Sequence, residues 1–379
     1  MRVGIDAKVL SKPYTGIAVY LHSVLSWFQR LEPENEYILF SNRDFDMPRE
    51  WRSCEKVIYS TKLPASIKVC LGLEKVIDQY NIDIFWGPEH CLPYTKGNYK
   101  RVVTFHDIGV LINPKWGTRY NALLQKFMVK RSARIADLVV GISQSTCNDI
   151  IKYTHIDPKK VVCVNNGDSP YNGKEPTISE KDVNIVKKKY NIGDEYFLYF
   201  GTLEPRKNVV TIIKAYNEYR TTNPDQNQKL VLGGGLGWRY EPILKEIENS
   251  PYRTDIIRTG YIDEKAKEVL YRNALCFLFP SLYEGCGFPI IEAMSCGTPV
   301  ITARNSSLPE VGGDVAFYID DALDYRTMAN LMVNIKELSR SERLELSKKC
   351  KTQALKFSRK ECAKEILDEF NDALIQENR

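Results

Sequence analysis

The sequence predicts an α/β protein of two doubly wound, Rossmann-like domains with a cleft between them and a helical C-terminal tail. Three observations carry this. At 379 residues the chain exceeds what a single hydrophobic core usually encloses. Short β-rich runs alternate with amphipathic stretches along most of its length. A turn-rich, then charged break, GDSPYNGKEPTISEKDVNIVKKKY from Gly167 to Tyr190, separates two such series.

The first series opens with RVGID, continues through a helical stretch from Ile17 to Leu31 and reaches a strand at Tyr37 to Phe40. Further strands fall at Ile82 to Trp86, Arg101 to Phe105, Leu138 to Ile142 and Val161 to Val164, with helical periodicity between most of them. The second series restarts at YFLYFG, Tyr196 to Gly201, and runs through KLVLGG, DIIRTG, ALCFLFP and TPVITA. From Asp321 the chain loses β character. Its end, Arg359 to Leu374, carries one apolar stripe of Ala363, Ile366, Leu367, Phe370 and Leu374, the mark of a helix that packs on a domain. The expected boundaries are a first domain over 1–168, a hinge over 169–190, a second domain over 191–356 and a C-terminal helix over 357–379 that folds back on the first domain.

Composition narrows the function. An apolar fraction of 43% and a charged fraction of 27% suit a soluble enzyme and argue against a disordered or fibrous chain. A net charge of +5, from 53 basic and 48 acidic residues, is too mild to imply nucleic-acid binding. Ten cysteines, among them Cys54, Cys91, Cys163 and Cys350, form no C-x-x-C pair and no zinc-ligand spacing. The start, MRVGIDAKVL, lacks an export signal, and no apolar run approaches the ~20 residues of a spanning helix. A cytoplasmic location is expected.

Ligands of doubly wound sheets bind at the carboxyl ends of the strands, so the residues just after strands are the informative ones. ALCFLFPSLYEGCGFPIIEAMSCGTPV, Ala274 to Val300, places a strand to Phe279 and then a loop with Glu284, Gly285, Cys286 and Gly287. Phe288 and Pro289 open a helix, proline suiting a first-turn position. A helix N-terminus is a ready anion site, and since Pro289 has no N–H, the expected phosphate-binding amides are those of Phe288 and Ile290. Gly285 and Gly287 permit a close approach of backbone to ligand. Glu284 and Glu292 face one cleft, where sugar and ribose hydroxyls would relieve their repulsion. YFGTLEPRKNV, Tyr199 to Val209, adds Arg206 and Lys207 in another post-strand loop, suited to neutralising a departing diphosphate.

These residues carry a resemblance. GTLEPRKN, SLYEGCGFPIIEAMSCGTPVI, SSLPEV and TGYIDE, with TFHD and ADLVVGISQST in the first half, resemble the retaining GT-B glycosyltransferases related to bacterial mannosyltransferases and glycogen synthases, of glycosyltransferase family 4. The similarity spans nearly the full chain in order. It implies that Glu284 contacts the transferred sugar, that Glu292 holds the nucleotide ribose, and that Arg206 and Lys207 bind the diphosphate. It implies also that the base lies at Tyr261 and Ile262, that His106 lies beside the donor sugar, and that Gly16, in the PYTG loop, lets backbone approach the phosphates. The first domain would then be the acceptor side. Thr202 stands where many relatives carry an arginine, which leaves phosphate binding to Arg206 and Lys207.

The expected reaction is transfer of a hexose, mannose from GDP-mannose before a UDP-sugar such as UDP-glucose, to a saccharide or lipid-linked acceptor in surface polysaccharide or glycoconjugate assembly. A carboxylate for double displacement is not evident, so the expected route is front-face substitution with retention, without metal or other cofactor. His106, placed after a strand, ranks above His22, His90 and His155; His90, in FWGPEHCLP, is an acceptor-side candidate. Asp44 and Asp46 form a short acidic pair of weak metal-binding value. GGGLGW, Gly233 to Trp238, departs from the dinucleotide spacing, which argues against a dehydrogenase. A sugar-nucleotide epimerase and a non-catalytic nucleotide-sugar-binding protein are the remaining alternatives. TRYNALLQKFMVKRSARI places Lys126, Lys130 and Arg134 at four-residue spacing beside Leu123, Leu124, Phe127 and Met128. The expectation is a solvated basic face over a packed helix; the alternative is peripheral contact with anionic membrane at its inner face.

Overall fold

A computed structural model describes residues 1–11, 16–60, 73–94, 97–117, 119–174, 176 and 178–375. Pro13 to Thr15 of the PYTG loop lie outside the described residues. The chain divides into two compact units, Met1–Asn166 with Ser358–Arg379, and Gly167–Phe357.

The first unit is built on a parallel sheet of β1 (Arg2–Asp6), β2 (Glu36–Ser41), β3 (Cys54–Ile58), β4 (Ile84–Gly87), β5 (Lys100–Phe105), β6 (Leu138–Gly141) and β7 (Val161–Cys163), in the order β3-β2-β1-β4-β5-β6-β7. Strands buried on both faces read as continuous apolar runs, as in LVVG of β6. β3 escapes that pattern, because it is an edge strand whose Glu55 and Lys56 break the run. The C-terminal helix Arg359–Ile375 packs on helix Gly16–Leu31, and Phe370 meets Phe28 and Trp86 edge-on at 6.1 and 5.7 Å. Cys362, Ala363, Ile366, Leu367 and Phe370 join the core around β1 and β4.

The second unit holds β8 (Tyr196–Phe200), β9 (Lys229–Gly233), β10 (Ile256–Gly260), β11 (Cys276–Phe279), β12 (Val300–Ala303) and β13 (Phe317–Ile319), all parallel, in the order β10-β9-β8-β11-β12-β13. Residues expected as a hinge at 169–190 differ from that reading. They lie in this unit, and Glu180–Tyr190 is a helix. Ser179 and Asp182 form its reciprocal capping box, so the charged stretch is a capped surface helix and not a linker.

The glycine run after β9 has a packing explanation. A Cβ on Gly234, at φ +125°, would lie 2.1 Å from the Gly201 carbonyl oxygen. Leu203 N donates to Gly235 O at 2.9 Å and Gly237 N to Leu203 O at 3.0 Å, so the loops after β8 and β9 continue side by side. Only glycine permits that approach.

Candidate functional site

In the second sheet the strand order reverses between β8 and β11, and the chain leaves these neighbours in opposite directions. That is the switch point at which doubly wound sheets open a crevice beyond their carboxyl ends. The two loops that leave it carry Glu204 to Asn208 and Pro280 to Gly287. They are tied together: Leu282 N donates to Arg206 O at 2.8 Å, Asn208 Nδ2 to Pro280 O at 3.0 Å, and Arg206 Nη1 to Tyr283 O at 2.8 Å. Asn208 adopts φ +58°, a conformation asparagine tolerates better than most residues, and it turns the 3₁₀ segment Pro205–Lys207 into the helix Val209–Thr222.

Three sequence-predicted residues meet here. Glu284 Oε1 accepts from Lys207 Nζ at 2.5 Å, and Oε2 from Arg206 Nη1 at 3.1 Å. Arg206 Nη2 also reaches Glu204 Oε1 at 3.2 Å. Glu284 is buried. Burial alone would raise its carboxyl pKa, but Lys207 and Arg206 outweigh that and hold it below the usual glutamate value. The expectation that sugar and ribose hydroxyls relieve carboxylate repulsion therefore needs correcting: cations already do so. Lys207 lies over the Phe279 ring, 5.1 Å from its centroid, and Ser306 and Ser307 grip the Glu284 backbone N and O, each at 3.0 Å. Each carboxylate oxygen is thus held by a cation, and the backbone of Glu284 by the two serines.

Gly287 stands at φ +97° before helix Phe288–Ser295, which explains why glycine is required there. One expected phosphate contact is overturned. Ile290 N donates to Gly287 O at 2.9 Å, so its amide is spent within the turn. Gly285 leads into the buried Cys286 in the same loop. One helical turn on, Glu292 has its own partners: Lys267 Nζ donates to Oε1 at 2.7 Å and Tyr271 Oη to Oε2 at 2.9 Å. Lys267 and Tyr271 lie four residues apart on helix Glu264–Asn273 and so share a face. Burial and the Glu292 charge push the Tyr271 phenol far up, which keeps it a donor. Just before that helix, Tyr261 projects into solvent, 91% exposed, with Ile262 half-buried beside it. An exposed tyrosine at the carboxyl edge of β10 offers a face for stacking.

The first sheet has its own switch point, between β1 and β4. Lys8 Nζ lies between Asp6 Oδ2 at 3.0 Å and Glu89 Oε2 at 3.2 Å. Burial opposes the Lys8 charge, yet Asp6, Cys91 and Glu89 raise its pKa, so it stays protonated. His106 follows β5, and its Nε2 meets Pro88 O at 2.9 Å. A carbonyl oxygen only accepts, so Nε2 carries the proton and Nδ1 the lone pair. His106 N in turn donates to His90 Nε2 at 3.1 Å, while Tyr20 packs edge-on to the His106 ring at 4.8 Å. Burial first, and His90 second, lower the His106 pKa to about 4. It is a neutral imidazole near pH 7. Gly16 opens helix Gly16–Leu31, and a Cβ there would meet nothing within 4 Å. Asp44 is engaged by Lys56 at 2.6 Å, and among the described residues no group of three or more acidic, histidine or cysteine side chains is placed to hold a metal.

Sequence reasoning missed Lys267 and Tyr271, Glu204, and the Lys8 pair with Asp6 and Glu89. The position of Asp6 at the end of the first strand and of Lys8 just beyond it was a usable signal. Lys267 and Tyr271 had none, because their role depends on a helix 21 or more residues upstream in sequence meeting Glu292 in space.

Residues 180–357 match the family model for glycosyl transferases group 1, and residues 14–168 that for glycosyltransferase family 4. The O-antigen chain mannosyltransferase B of Escherichia coli is 29% identical over 302 residues, 77% of this chain and 74% of that protein. The serotype-specific mannosyltransferase WbdA of the same species is 30% identical over 306 residues; the match takes in 78% of this chain but only 35% of that longer protein. Among solved structures, a sucrose-phosphate synthase from Thermosynechococcus elongatus superposes with a TM-score of 0.77 at 16% identity, covering 99% of both chains. The fold is GT-B, with two Rossmann-like sheets and a helical C-terminal region.

Proposed function

This chain belongs to the group 1 and family 4 glycosyltransferases, and from that premise we propose that it transfers mannose from GDP-mannose to a saccharide or lipid-linked acceptor in surface-polysaccharide assembly, retaining configuration and needing no metal ion. The mannosyltransferase names of its relatives support the sugar. The single observation that carries the mechanism is Glu284, buried and ion-paired to Lys207 and Arg206 at the switch point of the second sheet.

The donor lies along that edge. Tyr261 and Ile262 receive the base, Glu292 the ribose, and Arg206 with Lys207 the diphosphate. Lys267 and Tyr271 orient the Glu292 carboxylate, leaving lone pairs for a ribose diol. An ammonium has three N–H donors, so Lys207 can hold Glu284 and a phosphate oxygen together. As the anomeric C–O bond breaks, charge grows on the diphosphate, and these fixed cations stabilise it without reorganisation. That is the task a divalent ion performs elsewhere, which supports metal independence. The departing phosphate oxygen takes the acceptor hydroxyl proton, and the acceptor oxygen attacks from the same face. Glu284 accepts from hydroxyls of the transferred sugar, with its negative charge beside the oxocarbenium-like centre. On the first unit, Gly16 serves phosphate approach and the neutral His106 serves as a hydrogen-bonding group, not as an acid. The proposed compartment is the cytoplasm, with the inner face of the membrane as the place of transfer where the acceptor is lipid-linked.

The test is a transfer assay with GDP-mannose in excess chelator, followed by the anomeric coupling of the product. Retention and undiminished rate are expected. An inverted product or a rate restored only by added metal would overturn the respective part. Thermal shifts across GDP, UDP and ADP rank the base, because ligands of the native state stabilise it by mass action.

A further inference from the structure

Glu292 belongs to helix Phe288–Ser295, while the two donors to its carboxylate, Lys267 and Tyr271, belong to helix Glu264–Asn273. Whatever fixes these helices against each other therefore aims the carboxylate. The segment that opens the second unit, from Gly167, touches both. Tyr171, 6% exposed, packs edge-on to the Tyr271 ring with 6.3 Å between centroids, and its Oη donates to Glu264 Oε2 at 3.3 Å. Glu264, Lys267 and Tyr271 recur at three- and four-residue spacing, so Tyr171 lies along the face that holds Glu292. Burial first, then the Glu292 and Glu264 charges, push the Tyr171 phenol far up, so it stays neutral beside them. Glu264 is exposed and its hydrogen bond competes with water, which leaves the ring contact with Tyr271 as the stronger hold. The next residue grips the other helix. Ser295 Oγ, which also donates to Ile291 O at 2.7 Å, donates to Asn172 Oδ1 at 3.2 Å. Asn172 Nδ2 donates to Ala354 O and to Phe357 O, each at 3.0 Å. A Cβ on Gly167 would lie 2.6 Å from Ile291 Cδ1, so the backbone of this segment also presses on helix Phe288–Ser295. Phe357 is the last residue of the unit, and one side-chain amide thus joins the segment by which the chain enters it to the one by which it leaves.

We propose that Tyr171 and Asn172 are positioning residues for the nucleotide, clamping the helices that carry Lys267, Tyr271 and Glu292 so that the Glu292 carboxylate points at the ribose. The inference rests on the ribose role proposed for Glu292. It adds two neutral residues that lie on neither helix and act through the groups that do the binding. A binding group gains from such support because its geometry is set before the ligand arrives.

Isothermal titration of the full chain with GDP and with 2′,3′-dideoxy-GDP tests it, at a temperature where circular dichroism finds every variant folded. Wild type should prefer GDP, and Glu292→Ala should lose that preference. Tyr171→Leu and Asn172→Ala should each weaken GDP about fivefold and narrow the preference, with kcat at saturating donor changed less than about twofold. Tyr171→Phe, which keeps the ring, should bind like wild type. Ser295→Ala, a milder cut of the Asn172 contact, should shift binding in the same direction and serves if a larger substitution unfolds the chain. In a Glu292→Ala background Tyr171→Leu and Asn172→Ala should have no further effect, since no carboxylate remains to be aimed. Equal weakening in both backgrounds would mean general loosening and would overturn the proposal. So would wild-type affinity and preference in Tyr171→Leu and Asn172→Ala where Glu292→Ala has lost the preference. A preference kept by Glu292→Ala would overturn the ribose role and this inference together.

Discussion

Lys207 Nζ and Glu284 Oε1 stand 2.5 Å apart although 77 residues separate them in the sequence, because β8 and β11 are neighbours at the switch point of their sheet. Lys207 is 13% exposed and Glu284 9%, so the pair is desolvated enough for each to depend on the other. Removing one partner of such a pair strands a charge, whereas removing both is far less costly. Lys207→Met and Glu284→Ala should each destabilise the protein, and the double variant should cost less than their sum. A double-mutant cycle by urea unfolding should give a coupling of roughly 1–3 kcal/mol. Additive losses would mean that the contact contributes nothing.

Glu292 depends on Lys267 and Tyr271 for its orientation. Lys267→Met and Tyr271→Phe should each raise the donor KM about fivefold, the equivalent of roughly 1 kcal/mol for a lost hydrogen bond, with kcat changed less. The same variants should lose discrimination between the nucleoside diphosphate and its 2′,3′-dideoxy analogue. A purely structural role would weaken binding of both nucleotides alike.

His106 has a folded-state pKa of about 4, below the ordinary histidine value of 6.5. Between these values the unfolded chain binds the extra proton, so the stabilising contribution is complete above pH 6.5 and is lost as pH falls through 4. Its size is on the order of 3 kcal/mol. Unfolding free energies measured across this window should fall with pH, and His106→Gln should flatten part of that slope. Transfer by the wild type should show no inflection from this residue between pH 6 and 8. An inflection abolished by His106→Gln would assign it a titrating role instead.

Gly234→Ala tests the packing explanation of the glycine run. A Cβ at 2.1 Å from the Gly201 carbonyl forces the loops after β8 and β9 apart. Thermal unfolding should show a loss of about 2 kcal/mol or more. A stable variant would mean the glycines serve something other than backbone approach.

The post-strand residues were legible because a doubly wound sheet puts them at its carboxyl edge whatever their neighbours. Arg206, Lys207 and Glu284 were found that way. Their mutual pairing was not, since it arises from strand order, which periodicity does not encode. The Ile290 amide was misjudged because a sequence shows that a helix begins but not which first-turn N–H closes on Gly287. Helix Arg119–Ile135 carried apolar residues on two sides, and only the placement of Ala122, Val129 and Ala133 against the core decides that Leu123 and Phe127 face out. The edge strand β3 was hidden by Glu55 and Lys56, which suit an edge and resemble a loop.

The central claim is that the paired Glu284 and Lys207 form the catalytic heart of a nucleotide-sugar site. Steady-state release of nucleoside diphosphate, with acceptor present, should be measured for wild type, Glu284→Ala and Lys207→Met, at a temperature where circular dichroism finds all three folded. Release should need the acceptor and fall by about 10²-fold or more in each variant, as loss of a group that stabilises developing charge does. Near-normal turnover in both variants would contradict the account.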